Sequence, residues 1–474
     1  MPVDTTHKEY NAMMPKWQLV RAIIDNNASK YIREIDKNDP KRTKQYREDA
    51  ILTNFTRLTQ DGLIGLVYRK PAKIEVPAEL EYLVDDATGT GFGLEQASQA
   101  HMLELFKTGR IGLLADMCLD AGSDGLARIK SYAAENIRMW KTRTVGSKVL
   151  PWLITLSETI EKVDPDDVFS CDEAVQYRVL FLNSNNEYEQ HIYDEDQNLV
   201  SVVVPLDYNG KPFNEIPFMF VGSENNDPKC DPIPLFDLAM LNLGHYKNSA
   251  DYEESIFITG QPTLFVSMEM SEEEFKLMNP NGMKIGARGG HNLGPNGKAE
   301  LVQANPNQLV AQAMKEKIEQ AAYIGARLIA QAGGRETAEA ARIRYGAQNS
   351  ALYNMTHNES RAMEQMLWWI SVFMMETPAE SEFELSDQYY EDSADPLLIA
   401  QEIMLMQNGV ISKNDIRNNL RDVNIIPMER SNEDIEKEID LVDPMIGAPI
   451  VTTRRTNAPS SVADATGKDT GGSD

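Results

Sequence analysis

The N-terminal region contains two runs of apolar residues that recur at steps of three and four, the spacing of one helix face. The first run is Trp17, Val20, Ile23 and Ile24, and the second is Leu52, Phe55, Leu58, Leu63 and Leu66. Lys70 and Pro71 end this region, because proline cannot continue a helix. Gly89, Gly91 and Gly93 predict a turn, and residues 94–109 predict a further helix.

The pattern changes to strands in residues 171–220. Segments 176–183, 190–193 and 200–206 are rich in β-branched and aromatic residues between polar turns, which predicts a small antiparallel sheet. The turn at residues 194–198 alternates acidic side chains as a calcium loop does. Leu199, however, stands where such a loop needs glycine, so a hairpin tip is the favoured interpretation.

Two helices are predicted around one small module. They cover residues 231–258 and 308–332, and the module between them contains a strand at 263–267 and a Gly- and Asn-rich arm at 286–297. Gly333 and Gly334 then form a break. Residues 335–376 contain no proline and a single glycine, Gly346, and would span about 63 Å as one helix.

The C-terminal end of this long helix is predicted to be deeply buried, because apolar residues surround most of its last turns. They are Met363, Met366, Leu367, Trp368, Ile370, Val372, Phe373 and Met374. Helices are also predicted at 396–408, 412–420 and 429–441. From Gly447 onward the composition predicts a disordered tail.

Composition limits the classes of function. The chain has 474 residues and a net charge of -27, from 46 basic and 73 acidic residues, which argues against a protein that grips nucleic acid over its whole surface. It permits DNA to slide past an acidic wall, and solubility alone is an equally good explanation of the charge. Cys118, Cys171 and Cys230 are too far apart to indicate a disulfide framework or a thiolate metal site. We expect neither a secretory signal nor a spanning helix.

No catalytic motif is recognisable. The six histidines form none of the usual metal-binding spacings, and no nucleophile elbow occurs. The Gly-rich arm ends at Lys298, but Ala299 replaces the hydroxyl residue that a phosphate-binding loop uses to hold Mg²⁺. We therefore expect a structural protein that has no catalytic residues, no metal and no cofactor.

Several segments resemble the portal proteins of tailed bacteriophages, in the branch found in podovirus-like phages and prophages. They are residues 54–77, 108–116, 131–141 and 233–264. The resemblance covers roughly residues 17–444 and extends to the order of the elements. It implies a predominantly helical α+β fold with a wing at 1–230, stem helices at 231–258 and 307–330, and a clip at 259–306. A tunnel loop at 331–336, a long wing helix and connector at 337–394, a crown at 395–446 and a disordered tail at 447–474 would follow.

The resemblance also implies a function and partners. Portal proteins form a ring, usually of twelve subunits, at one capsid vertex of the virion, after assembly in the cytoplasm of the host bacterium. Double-stranded viral DNA passes through the ring, terminase and then head-completion or tail adaptor proteins dock on the clip, and scaffolding and major capsid proteins meet the wing. No membrane is involved. Another head or connector protein is the alternative, and a prophage hydrolase or nuclease is a more distant one.

The resemblance places candidate site residues in three segments. The tunnel loop would contribute Gly333, Gly334 and Arg335 to the DNA channel, and the second stem helix would contribute Lys315, Lys317 and Arg327. Ion pairs with Glu316 and Glu319 are an equally good interpretation of these stem residues. Docking candidates on the clip are Lys284, Arg288, His291 and Lys298.

Overall fold

Local capping signals define the N-terminal helices. These are α1 (Lys8–Ile24), α2 (Pro40–Asp49), α3 (Phe55–Val67), α4 (Tyr82–Asp85) and α5 (Leu94–Thr108). The Asp39 side chain accepts hydrogen bonds from two backbone amides at the start of α2, and Asn54 accepts one from Arg57 N at the start of α3. α5 ends at Gly109, whose φ of +71° lies in the left-handed region that glycine favours. The helix predicted at 94–109 is therefore confirmed.

The computed structural model describes residues 2–117, 124–162, 169, 172–260, 263–267, 269–278, 280, 296–302, 308–329, 350–386, 389, 403–406, 412–422, 426 and 430–442. The chain divides into two units, Met1–Tyr389 and Tyr390–Asp474. The predicted tunnel loop, most of the Gly-rich arm and the tail lie outside the described residues.

Two antiparallel sheets form the centre of the first unit. β2 (Arg110–Met117) lies between β3 (Ala127–Ala133) and β9 (Phe218–Gly222) in a three-stranded sheet. The second sheet is a meander of β4 (Ile137–Val145), β5 (Lys148–Glu161), β6 (Glu173–Leu182), β7 (Tyr188–Tyr193) and β8 (Leu199–Val203). The predicted sheet is confirmed in β6 to β8, and the hairpin tip is confirmed by a bond from Asn198 N to Asp194 Oδ1 of 2.7 Å. β4 and β5 were not predicted.

A charged network with little exposure to solvent links the two sheets. Arg178 on β6 donates to Glu158 on β5 over 2.7 Å and to Gln190 on β7 over 2.6 Å. Asp116 on β2 accepts from Gln190 over 2.7 Å and from Lys130 on β3 over 2.8 Å. The two acids balance the two bases, and the bonds from Gln190 and from Arg178 Nη1, 3.5 Å long, to Asp116 cross the boundary between the sheets.

The remaining elements of the first unit follow the predicted order. They are α6 (Phe236–Gly260), β10 (Thr263–Ser267), α7 (Glu272–Met278), β11 (Lys298–Val302), α8 (Gln308–Ile329), α9 (Ser350–Met374) and β12 (Glu382–Glu384). β10 pairs with β11, and β12 pairs with β1 (Lys73–Glu75).

α9 packs against β2, β9 and α5, which explains its apolar sequence. The prediction of burial is confirmed for Met363, Met366, Ile370 and Phe373. The Trp368 side chain, in contrast, is 38% exposed. The predicted helix at 335–376 is described from Ser350 onward.

The second unit contains α10 (Lys413–Asp422) and α11 (Asn432–Val442), which agree with two of the predicted helices. Of the helix predicted at 396–408, residues 403–406 are described and are helical. Arg417 on α10 forms an ion pair with Glu436 on α11 over 2.9 Å. Every strand pair in the described part of the chain is antiparallel, so the α+β prediction is confirmed at the level of fold class.

Candidate functional site

The candidate site is the helix pair of α6 and α8 together with the module that they flank. α6 leads into β10 and β11 leads out towards α8, and the two helices pack against each other. The two ends of α6 differ in environment, because Leu238 and Ala239 near its start are buried whereas Phe257 and Ile258 near its end are exposed.

Polar contacts anchor α6 on α2, on α3 and on the segment before α3. The Asn242 side chain accepts from both the backbone amide and the hydroxyl of Thr56 at the start of α3, over 3.2 and 2.9 Å, and donates to Thr53 O over 2.9 Å. Ser249 Oγ accepts from Ile51 N over 2.9 Å. Tyr46 on α2 donates to Asp251 over 2.6 Å. The base of the helix pair is therefore fixed to α2 and α3 by groups that must keep their partners.

His245 lies in the same interface and has no hydrogen-bond partner for either ring nitrogen in the described part of the chain. Its ring meets Phe55 edge to face, with centroids 5.9 Å apart. Burial, and to a smaller extent the charge of Lys317, hold the pKa of His245 below its ordinary value. The side chain therefore packs as a neutral aromatic ring.

The two predicted channel lysines lie on opposite faces of α8. The Lys317 side chain crosses α6 at Gly244, where an added Cβ would stand 3.1 Å from Lys317 Cε. Lys315 is exposed, 4.0 Å from Glu319 one turn later. Residues two apart on a helix do not share a face, and Lys315 is exposed whereas Lys317 is half-buried. Arg327 belongs to α8, and its side chain lies outside the described part.

The module shows no buried side chain among its described residues between 264 and 302. Its exposed apolar residues are Phe265, Leu277, Leu301 and Val302, and Ile256, Phe257 and Ile258 continue them at the end of α6. Phe257 is 60% exposed, and Leu309 at the start of α8 is 79% exposed. The described residues of the module therefore form no buried core of their own, and two strands alone are only marginally stable.

Among the described residues of the module, acidic side chains outnumber basic ones. The first turn of α7 contains Glu272, Glu273 and Glu274. Their negative charges interact favourably with the positive end of the helix dipole. Hydrogen bonds from the Ser271 amide and hydroxyl hold the pKa of Glu274 below its ordinary value. Of the predicted docking residues, Lys298 is exposed on β11, opposite Ser267, and Lys284, Arg288 and His291 lie outside the described residues. The same holds for Gly333, Gly334 and Arg335.

Neither a metal site nor a membrane span is present in the described part of the chain. The described residues contain no cluster of His, Cys, Asp or Glu that could hold a metal ion. None of the helices within the described ranges has the length and apolar character needed to cross a membrane.

A comparison with protein families matches the part of the chain that contains the helix pair. Residues 234–374 match a family model described as a domain of unknown function, DUF4055, and this segment begins just before α6 and ends with α9. No match is found among curated protein sequences.

Among the solved structures that the chain is similar to, three come from gene transfer agent particles. One is the virion of the native particle and another is the neck of the empty particle computed with C6 symmetry, each with a TM-score of 0.39, 14% identity, and coverage of 80% of this chain and 93% of theirs. A third is the neck of the native particle computed with C12 symmetry, with a TM-score of 0.36, 13% identity, and coverage of 85% and 98%.

Proposed function

We propose that this protein is a portal subunit, a structural protein that forms a ring at one vertex of a phage-like capsid. The observation that carries the proposal is the helix pair, which is anchored on the body at one end and ends in a module with no buried side chain among its described residues. One of the four portal-like segments of the sequence, residues 233–264, covers α6 and the start of β10.

Exposed apolar residues at the tip support a ring of copies. Phe257, Leu301 and Leu309 are large side chains in contact with water in the single chain, which is unfavourable by roughly 1.5 to 3 kcal/mol for each side chain that burial would cover. Head-to-tail contacts between identical copies cover such surfaces, and they close into a ring when the rotation between neighbours is a whole fraction of a full turn with no rise along the axis.

The charge distribution supports a channel through which DNA moves without being held. Each copy carries a net charge of -27, so a ring repels phosphates on average. Lys315 is an exposed base on α8 that provides local, reversible contact, and Glu319 one turn away weakens it. In this proposal terminase and then adaptor proteins dock on the module, scaffolding and capsid proteins meet the body, and the protein itself performs no catalysis.

Electron microscopy of the purified full chain tests the ring. We expect annular particles with a central hole by negative stain, and native mass spectrometry should give a single multiple of the 53.2 kDa subunit mass. Monomers or particles without a hole at micromolar concentration would refute the proposal.

A matched pair of lysine variants tests the channel. Lys315→Ala should reduce DNA retention in packaged particles, whereas Lys317→Met should leave retention unchanged because Lys317 faces α6. Arg335→Ala, in the predicted tunnel loop, should act like Lys315→Ala. DNA retention equal to that of the wild type in all three variants would contradict these DNA contacts. It would not contradict the proposed ring.

A further inference from the structure

A groove in the first unit collects four of the chain's five tryptophans. It consists of two adjoining clefts of about 750 and 480 Å³ that share Val149 and Pro228 in their walls. Trp140 and Trp152 line the first cleft, and Trp368 and Trp369 line the second. Tryptophan is the residue most enriched at the energetic centres of protein interfaces, and four in one concave surface are unusual.

Planar side chains stacked behind the first cleft hold its wall in place. The Arg110 guanidinium lies 4.1 Å from the centroids of both the Trp140 and Phe220 rings, and the His7 ring lies 3.9 Å from that of Trp140. Arg110 also donates to Cys230 Sγ over 3.0 Å. A wall with so little freedom loses little entropy when a ligand binds to it.

The two tryptophans of the second cleft have different roles. Trp369 is buried and donates its indole N–H to Glu215 Oε1 over 2.8 Å, so its position is fixed. Trp368 precedes it on α9 and leaves 38% of its surface open to the cleft. An exposed indole beside a fixed one offers an apolar surface and a ring face for a cation.

Charge distinguishes the two ends of the groove. The walls of the Trp368 end contain Glu215 and Glu380 and no lysine or arginine among the residues described there. At the other end Glu9 and Asp227 are offset by Lys141 and Lys229, and Lys141 already lies 5.7 Å from the Trp152 ring centroid. A free cation is therefore attracted to the Trp368 end.

We propose that this groove binds an extended peptide segment of a partner protein that contains proline and arginine. Its proline and aliphatic side chains would pack between Trp152, Val149 and Pro228, and its arginine would lie over Trp368 within reach of Glu215 and Glu380. Aromatic grooves bind extended proline-containing segments because these are already ordered before binding. Arginine is the cation that both stacks on an indole and pairs with carboxylates. The proposal is independent of the function proposed above.

Fluorescence anisotropy with the full chain and a labelled synthetic peptide, Ac-Arg-Pro-Leu-Pro-Pro-Leu-Pro-amide, tests the groove. We expect saturable binding, a loss of about tenfold in affinity for Trp368→Ala, and a smaller loss for Glu380→Gln that disappears in high salt. Tyr208→Ala is the matched control, because Tyr208 is an exposed aromatic residue outside the groove, and it should bind as the wild type does.

Three outcomes would overturn the proposal. The first is no saturable binding up to about 1 mM peptide, the weakest affinity that a specific site would show. The second is equal affinity of Trp368→Ala and wild type, or equal binding of a peptide with glutamate in place of arginine. The third is a change in the mass of the assembly on Trp368→Ala, which would mean that a second copy covers the groove. Retained circular dichroism of Glu380→Gln, which changes an exposed side chain, separates lost binding from lost folding.

Discussion

Replacing Arg178 by methionine should destabilise the first unit severely, because this guanidinium joins both sheets. Arg178 donates to Glu158 through Nε over 2.7 Å and through Nη2 over 3.3 Å, and a third bond reaches Gln190. Its side chain is 14% exposed and that of Glu158 is 16% exposed. Methionine fills similar space but leaves Glu158 with only Tyr132 and Gln176 as donors.

The expected cost follows from the burial of the pair. Removing one partner of a buried ion pair leaves an uncompensated charge and typically costs about 3 to 5 kcal/mol, whereas an exposed pair contributes about 0 to 1 kcal/mol. With most of both side chains covered, we expect about 3 kcal/mol for Arg178→Met. Glu158→Gln removes the charge that Arg178 balances and keeps one acceptor oxygen, so the double variant should cost less than the sum of the single variants.

The pH dependence provides an independent check with a definite sign. Burial opposes ionisation of Glu158, but the hydrogen bonds and charge of Arg178 outweigh it and hold the pKa of this carboxyl below its ordinary value. The pair therefore stabilises the fold above the unfolded pKa, about 4.3, and its contribution is lost as pH falls through the folded pKa. In Arg178→Met, protonation removes the uncompensated charge of the buried Glu158 carboxylate. The difference in free energy of unfolding between the variant and the wild type should therefore shrink between neutral pH and about pH 4.

Urea unfolding followed by tryptophan fluorescence measures these differences, because every tryptophan of the chain lies in the first unit. Thr159→Ala, an exposed change on the same strand β5, is the control and should alter stability by less than about 0.5 kcal/mol. A cost below about 1 kcal/mol for Arg178→Met, or a deficit independent of pH, would show that solvent screens the pair.

Four further predictions concern the helix pair and its surroundings. Gly109→Ala should destabilise by more than about 2 kcal/mol in the same assay, because φ is +71° and the new Cβ would stand 2.4 Å from Pro232 O; a cost below 1 kcal/mol would contradict this geometry. Asn242→Ala should cost about 3 kcal/mol by leaving the Thr56 amide unpaired, and a neutral effect would mean that water replaces the side chain. His245→Phe should stabilise the fold by about 1 kcal/mol. Because the pKa of His245 is lower in the folded than in the unfolded chain, this histidine lowers wild-type stability as pH falls below about 6.5, and the variant should lack that loss. The same pH dependence in the variant and the wild type would refute this. Hydrogen exchange of the amides in β10 and β11 should be fast in dissociated subunits and slow in the assembly, and equal protection would show that the module is stable alone.

Sequence patterns predicted the elements whose signals are local. α5 combines an apolar repeat with a terminal glycine, and β6 to β8 are short strands between polar turns. β4 and β5 lack such signals, since Lys141 and Arg143 interrupt the apolar pattern of β4 and Pro151 lies within β5 beside a register shift. The sequence pattern predicted the helix α9. It did not predict the exposure of Trp368 within the apolar run, because that exposure depends on which neighbours cover the helix.

The candidate site was less predictable because it depends on tertiary contacts. Both stem lysines, Lys315 and Lys317, fitted a channel equally well in sequence, and only the approach of α8 to Gly244 separates them. The tryptophan groove unites residues from β4, β5 and α9 that are more than 200 positions apart at the extremes, roughly from Trp140 to Trp369, so no local pattern reveals it.

α6 carries residues fixed to the body and residues exposed at the module on one continuous helix. Asn242 accepts from Thr56 on α3 and Asp251 accepts from Tyr46 on α2, and both donors are buried, whereas Ile256, Phe257 and Ile258 are exposed in the single chain. In the proposed portal, partners that dock on the module would therefore act on a helix that α2 and α3 hold in place.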